Sequence, residues 1–248
     1  MIQAWIDEGV CELPPEFKCE RAIDLPASPD DVWQAVATTD GLAAWLFPMP
    51  IPPLGEGTTS WDPPHHLAIR MQQGNWFNAL DYNIDNHHGS SRLHYVHTGI
   101  FVDDWDTQND AVQQHTDFYL HTLGQYLEFF NGQPVTFVGD VSGGIQGPAS
   151  SASPGAFEHL KRALDIGPDV GVGNEVHLAL HGVADLDGVV DYLTANFLGI
   201  RTSSSLVRFF GRNAFGQPVG MAIHAFGAAV DGAAVASSWH EWLERTFG

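Results

Sequence analysis

Apolar and polar residues alternate along the first stretch of the chain, take up a helical period, and later alternate again. Residues 17–26 (FKCERAIDLP) alternate loosely and predict a strand. Ser28-Pro29-Asp30-Asp31-Val32-Trp33 then predicts a helix start. Serine caps the open N–H groups, proline gives up no hydrogen bond in the first turn, and two aspartates suit the positive end of the helix dipole. Val32, Val36 and the Trp33/Ala37 pair give that helix an apolar face. A second short helix is expected at about 40–47, with Asp40 as an acidic cap and Pro48 as its stop, before a loop through MPIPPLGEG. The runs TTSW, HLAIRMQ, NALDYNI and SRLHYVHTGI have strand character. Within them Leu80, Tyr82 and Ile84 alternate with Asp81, Asn83 and Asp85, the period of a half-buried strand. HHGSS (87–91) reads as a turn. From Asn109 to Phe130 the period is helical, with Val112, His115, Tyr119, Leu123, Tyr126 and Phe130 on one face, and Asn131-Gly132 ends it.

The second half repeats the plan. PVTFVGD (134–140) reads as a strand, followed by a Gly/Ser/Pro-rich loop to about residue 152. Ser153-Pro154-Gly155-Ala156-Phe157 predicts another helix with a Ser-Pro opening, and EVHLALHG, VVDYLT, FLGIRT, SLVRFFGR and PVGMAIHAF read as strands. VASSWHEWLERTF predicts a final helix with Trp239, Trp242, Leu243 and Phe247 on one side. The order is that of an α+β protein in which a curved antiparallel sheet is covered by one long helix, twice over. The expected units are 1–131 and 132–248; a single domain with a long extension is the alternative.

Composition narrows the function classes. Thirty acidic residues against ten basic ones leave a formal net charge of −20, and the only lysines are Lys18 and Lys161. Such a surface repels phosphate backbones and anionic membranes, which argues against nucleic-acid binding. No stretch approaches the roughly 18 unbroken apolar residues of a membrane span, and the acidic start MIQAWIDEGVCELPPEF is unlike a secretory signal. A soluble, cytoplasmic protein is expected, in which Cys11 and Cys19 are reduced thiols rather than a disulfide.

SPDDVWQAVATTDGLAAWLFP, WDPPHHLAIR, RLHYVHTGI and HTDFYLHTLGQYLEFF, taken in order, resemble the START/Bet v 1-like (SRPBCC) superfamily. Within it they are most similar to the homologues of the activator of heat-shock protein 90 ATPase. The matching positions are Trp33, Trp45 with Phe47, Asp62-Pro63-Pro64, and Phe118 through Tyr126-Leu127, over about residues 17–131. The resemblance implies a helix-grip fold enclosing a cavity. Three features depart from it: a short span between Pro48 and Trp61, Phe118 where many relatives carry tryptophan, and no separate N-terminal co-chaperone domain. The resemblance therefore implies a cup with one abbreviated wall more directly than it implies heat-shock protein 90 activation.

Inside such a cup, strand parity and helix phase point to Tyr82, Tyr95, His97, His115 and Tyr119, with Trp33, Trp45 and Trp61 at the rim or core. These are the expected ligand-binding residues. His97 and His115 are also the candidate acid/base pair, since histidine titrates near neutrality; the competing reading is a pair of hydrogen-bonded core or rim histidines. No metal or cofactor is expected. His65-His66 and His87-His88 lie beside turns without ligand spacing, and Asp103, Asp104, Asp106 and Asp110 lack a calcium-loop pattern and read as an acidic helix cap. There is no G-x-S-x-G elbow, and Gly171-Val172-Gly173-Asn174 precedes a strand rather than a helix. Arg201, Arg208 and Arg212 stand among apolar strands; Arg208 is expected either to pair with Asp191 or to form an anion site for a ligand carboxylate. Binding of an apolar or aromatic small molecule, lipid or polyketide-like, is the leading function. The alternatives are a cyclase, dehydratase or hydrolase using the cavity histidines, and a co-chaperone-like or structural protein with a protein partner.

Overall fold

A computed structural model describes residues 15–101, 104–139, 144–227 and 229–248. The first unit runs β1 (Glu16–Leu25), α1 (Pro29–Ala37), α2 (Thr39–Ala43), β2 (Thr58–Asp62), β3 (His66–Gln73), β4 (Trp76–His87), β5 (Ser90–Ile100) and α3 (Trp105–Phe129). Its five strands lie in the order β1-β5-β4-β3-β2, all antiparallel. The first strand therefore closes on the last of the meander, and the intervening helices sit outside the ladder. Ser28 caps α1 by accepting the Asp31 N–H at 3.2 Å, with Pro29 in the first turn. The cap of α2 is Thr38, which accepts from Gly41 N, and Asp40 lies one step inside the helix. At the start of α3 Asp104 takes a left-handed backbone (φ 43°) and its side chain makes no cap bond. Asp103 and Cys11 lie outside the described residues.

The second unit runs β6 (Val135–Val138), β7 (Ile145–Gln146), α4 (Ala156–Ala163), β8 (Glu175–Leu178), β9 (Leu186–Leu193), β10 (Phe197–Arg201), β11 (Ser205–Phe210), β12 (Gly220–Phe226) and α5 (Gly232–Phe247). Its strand order is β6-β12-β11-β10-β9-β8, with β7 also on β12. First strand against last, a meander between, and a closing helix is the same helix-grip plan. Ser153-Pro154 does not cap α4 as Ser28 caps α1. Gly155 holds the N-cap at φ 80°, a left-handed conformation open to glycine, and the helix begins one residue later.

Register decides what faces inward. Pairing of Tyr82 with Tyr95, Leu80 with His97 and Leu67 with Tyr82 puts these side chains on one face of the first sheet, while Asp81 pairs with Val96 on the other. At one end the cup is solid. Leu25, Leu67, Ile84 and Leu93 pack there with Val32, Val36, Leu123 and Leu127. In the second sheet Val190, Leu198, Ile200, Val207, Phe209 and Met221 pack under Trp239, Trp242 and Leu243 of α5.

The opposite face of the second sheet is also covered, by the first unit. Leu206 and Phe226 belong to the first unit's core, Phe226 stacks on Phe130 at 4.3 Å, and His224 Nδ1 donates to the Ala43 carbonyl at 2.8 Å. Helix α3 consequently lies between two sheets. Its buried positions, Thr116, Phe118, Leu120, Thr122, Leu123, Tyr126 and Leu127, span more than the one face its apolar period predicts.

Candidate functional site

The open end of the first cup holds a cavity of about 530 Å³, within the range of small-molecule pockets. Its floor is the sheet: Met71 from β3, Asn78, Leu80 and Tyr82 from β4, and Tyr95 and His97 from β5. One wall is α3, through Ala111, Val112, His115, Thr116, Tyr119 and Leu120. The other wall is Trp45, Leu46, Phe47 and Met49, following α2. The Trp45 indole donates to the Ala35 carbonyl at 2.9 Å, which fixes that wall to α1. Beyond Met49 the chain forms a turn, held by Glu56 N–H to the Pro53 carbonyl at 3.0 Å, and an isolated bridge of Leu54 with Thr58, in place of a strand before β2. This is the abbreviated wall.

Of the eight residues expected to bind a ligand, Trp45, Tyr82, Tyr95, His97, His115 and Tyr119 line the cavity together. Trp33 and Trp61 do not line it. Trp33 is buried at the solid end and meets Trp61 edge-on at 5.1 Å, and Trp61 is 43% exposed. Both belong to elements that pack on the filled half of the cup, which strand and helix period alone does not distinguish from the open half. Sequence reasoning did not place Arg212, Met49 or Asn78 in the cavity. Asn78 shares its strand parity with Leu80 and Tyr82, a signal that could have found it.

Each histidine has one ring nitrogen engaged. His97 Nε2 and the Asn78 side-chain oxygen are 2.5 Å apart, and Phe17 packs edge-on to the ring at 4.9 Å. His115 Nδ1 donates to the Ala111 carbonyl at 2.8 Å, while its ring lies edge-on to Phe197 and stacked on Phe210. Desolvation pulls the His97 pKa down to about 4. Desolvation also brings His115 down to about 4, its backbone bond opposing and the Arg212 charge reinforcing the shift. At neutral pH both are uncharged, so each can accept a proton and neither has one to spare as a general acid. Burial likewise raises Tyr82, Tyr95 and Tyr119, which stay phenols, and raises the buried Cys19, which stays a thiol.

These depressed values predict acid sensitivity. His224, wholly buried between the units, is lowered by desolvation to about 3. Unfolding lets all three histidines return to about 6.5, so between that pH and their folded values the unfolded chain binds more protons. Stability is therefore full above pH 6.5 and falls as the pH drops toward 4, with a limiting slope of about 1.4 kcal/mol per pH unit for each histidine. Urea midpoints measured from pH 7 to pH 4 check this, and His97→Phe is expected to flatten the slope.

Among the described residues no group of three or more histidine, cysteine or acidic side chains is placed to hold a metal, and no helix is long and apolar enough to cross a membrane.

The strand order defines the chain as an α+β protein of the helix-grip class, the START/Bet v 1-like plan, with that plan present twice. No family model and no curated protein matches it. Among solved structures it is similar to the Aha1 dimer from Colwellia psychrerythraea, with 15% identity and a TM-score of 0.38, covering 47% of this chain and 99% of that one. It is also similar to CalU16 from Micromonospora echinospora, with 13% identity and a TM-score of 0.35 over 47% of this chain and 87% of the other. DynU16, from the dynemicin biosynthetic locus, is similar over 94% of this chain and 96% of its own, with 13% identity and a TM-score of 0.38. At these values it is the strand order, and not the likeness, that places the chain in the class.

Proposed function

We propose that the chain binds an apolar or aromatic small molecule in the cavity of its first unit. The observation that carries this reading is a cavity of about 530 Å³ walled by Trp45, Leu46, Phe47, Met49, Leu80 and Val112, with a few convergent polar groups. Leaving such an apolar surface open to water is unfavourable, at about 25 cal/mol per Å², and an apolar guest removes that cost. In this proposal residues 1–131 form the binding unit and 132–248 a supporting one, whose interior is packed with side chains. A lipid or polyketide-like guest and a cytoplasmic setting belong to the same proposal.

Native mass spectrometry of freshly purified protein, followed by denaturing extraction, is expected to release an adduct of small-molecule size. Leu80→Trp, which puts an indole into the cavity, is expected to lower its occupancy at least tenfold while leaving the fold intact by circular dichroism. An adduct that persists unchanged in that variant would place the guest elsewhere. If turnover accompanies binding, the uncharged His97 and His115 have no proton to give as general acids, and their low basicity limits them to hydrogen bonding or to taking a proton from an acidic substrate group.

A further inference from the structure

On the outer face of the first sheet, away from the cavity, three polar side chains form one chain of hydrogen bonds. Ser60 Oγ on β2 lies 2.9 Å from His66 Nδ1 on β3, and His66 Nε2 lies 3.1 Å from Asp81 Oδ2 on β4. Register brings them together. Ser60 pairs with Ala68, and Ala68 with Asp81, while His66 pairs with Asn83. All are one step out of phase with Leu67 and Tyr82, so they share the face opposite the cup's interior. Asn83 completes the array by donating its amide to Asp81 Oδ1.

The direction of each bond follows from the donors at hand. A carboxylate offers only lone pairs, so Asp81 accepts the proton on His66 Nε2. In a neutral imidazole that leaves Nδ1 bare, and it accepts from the Ser60 hydroxyl. The result is a nucleophile, a base in contact with it, and a carboxylate that fixes the tautomer of the base, itself held by Asn83. The two ring nitrogens exchange the places they take in a serine-protease triad. The chemistry is unchanged, because either nitrogen of imidazole can accept while the other donates. The array is within reach of a reagent: the His66 and Asp81 side chains are 33% and 39% exposed, Ser60 is part-exposed, and β2 is an edge strand paired only with β3 among the described residues. Beside it lies a hollow of about 460 Å³ on the same sheet, lined by Ala68, Arg70, Ala79, Asp81, Val96 and Thr98. The two alanines leave room there for a small acyl or aryl group, and Arg70 brings a positive charge of the kind that stabilises an oxyanion.

We infer that Ser60 is an activated nucleophile and that this outer face hydrolyses small activated carboxylic esters, at a site independent of the cavity. Ser60 Oγ bonds to the ester carbonyl carbon as its proton passes to His66 Nδ1, and Asp81 balances the imidazolium charge. The bond from that carbon to the alkoxy oxygen then breaks, and the alcohol leaves with the proton from His66. Water, deprotonated by the same nitrogen, attacks the acyl-serine, releases the acid and restores Ser60. The sum is ester plus water giving acid plus alcohol.

The test is labelling of the full chain at pH 7 with an alkyl fluorophosphonate, the modified residue being located by peptide mass spectrometry. Ser60 Oγ is expected to displace fluoride from phosphorus and carry the label. His66→Gln should slow labelling about 100-fold, the scale of general-base assistance, and Asp81→Asn should slow it by a smaller factor. With 4-nitrophenyl acetate the native protein should release a burst of nitrophenolate that Ser60→Ala lacks; circular dichroism checks that each variant is folded. An unlabelled Ser60 in the native protein, or labelling at an unchanged rate in His66→Gln, overturns the activated serine. A labelled Ser60 with no burst, or a burst that survives Ser60→Ala, overturns ester hydrolysis at this site.

Discussion

Arg208→Met is expected to destabilise the protein by about 3–5 kcal/mol, the cost of removing one partner of a buried ion pair. The Arg208 and Asp191 side chains are 1% and 4% exposed, and two parallel bonds of 2.7 and 2.8 Å join them. They sit on the face of the second sheet that meets the first unit, where the Arg208 Cζ lies 5.6 Å from the ring of Phe118 on α3. Without the arginine, the Asp191 carboxylate stays buried with its charge uncompensated, whereas the pair itself contributes little beyond an apolar substitute. Arg208→Met with Asp191→Leu should therefore recover most of the loss. Equilibrium denaturation of the two single variants and the double variant measures this; singles costing less than about 1 kcal/mol would remove the pair from the account of stability. Gly199 gives an independent check. It lies between the two strands that carry the pair, and a Cβ there would collide with both the Asp191 carboxylate and the Arg208 guanidinium. Gly199→Ala should thus resemble the single variants although it changes no charge.

Phe118→Ala should cost a similar amount, about 3–5 kcal/mol, because a fully buried ring is lost and the cavity left behind only partly collapses. Phe118 is 0% exposed and meets Tyr192 at 4.8 Å, Phe197 at 5.1 Å and Phe210 at 5.4 Å, all from the second sheet. The ring faces away from the cup its helix closes and fastens that helix to the second unit. A larger ring should not fit either: Phe118→Trp is expected to cost about 1–3 kcal/mol through overpacking. Thermal or chemical denaturation of both variants checks the pair of expectations. A neutral Phe118→Ala would mean that the ring cluster forms no part of the cooperative unit.

The two substitutions act at one seam, and that seam separates what was legible along the chain from what was not. The strands were legible because period two appears in stretches such as NALDYNID, and β4 covers them. The cap at Ser28 was legible because capping is local chemistry, completed three residues away by the Asp31 N–H. Strand parity also put Arg208 among apolar neighbours, where a buried arginine requires a carboxylate, and Asp191 supplies it. Five cavity residues followed from the same two periods, since Tyr82, Tyr95 and His97 share one sheet face and His115 and Tyr119 one helix face.

Trp33 and Trp61 show where that reasoning ends. A period says that a side chain faces inward, but not whether the interior at that depth is filled or empty; here Leu67, Ile84 and Leu93 fill it. The long helix shows the same limit in another form. A single apolar face was readable in α3, yet Phe118 and Thr122 are buried as well because a second sheet lies across its far side.

By itself, then, the sequence determined the elements, their order, the cap at Ser28 and each element's inward face, because those depend on residues a few positions apart. The tertiary structure alone decided that the second unit's sheet lies on α3, that His224 bonds a carbonyl 181 residues away, and that Arg212 crosses to the first unit's cavity. Such contacts join residues distant in the chain, and nothing in the local period of either partner encodes the other.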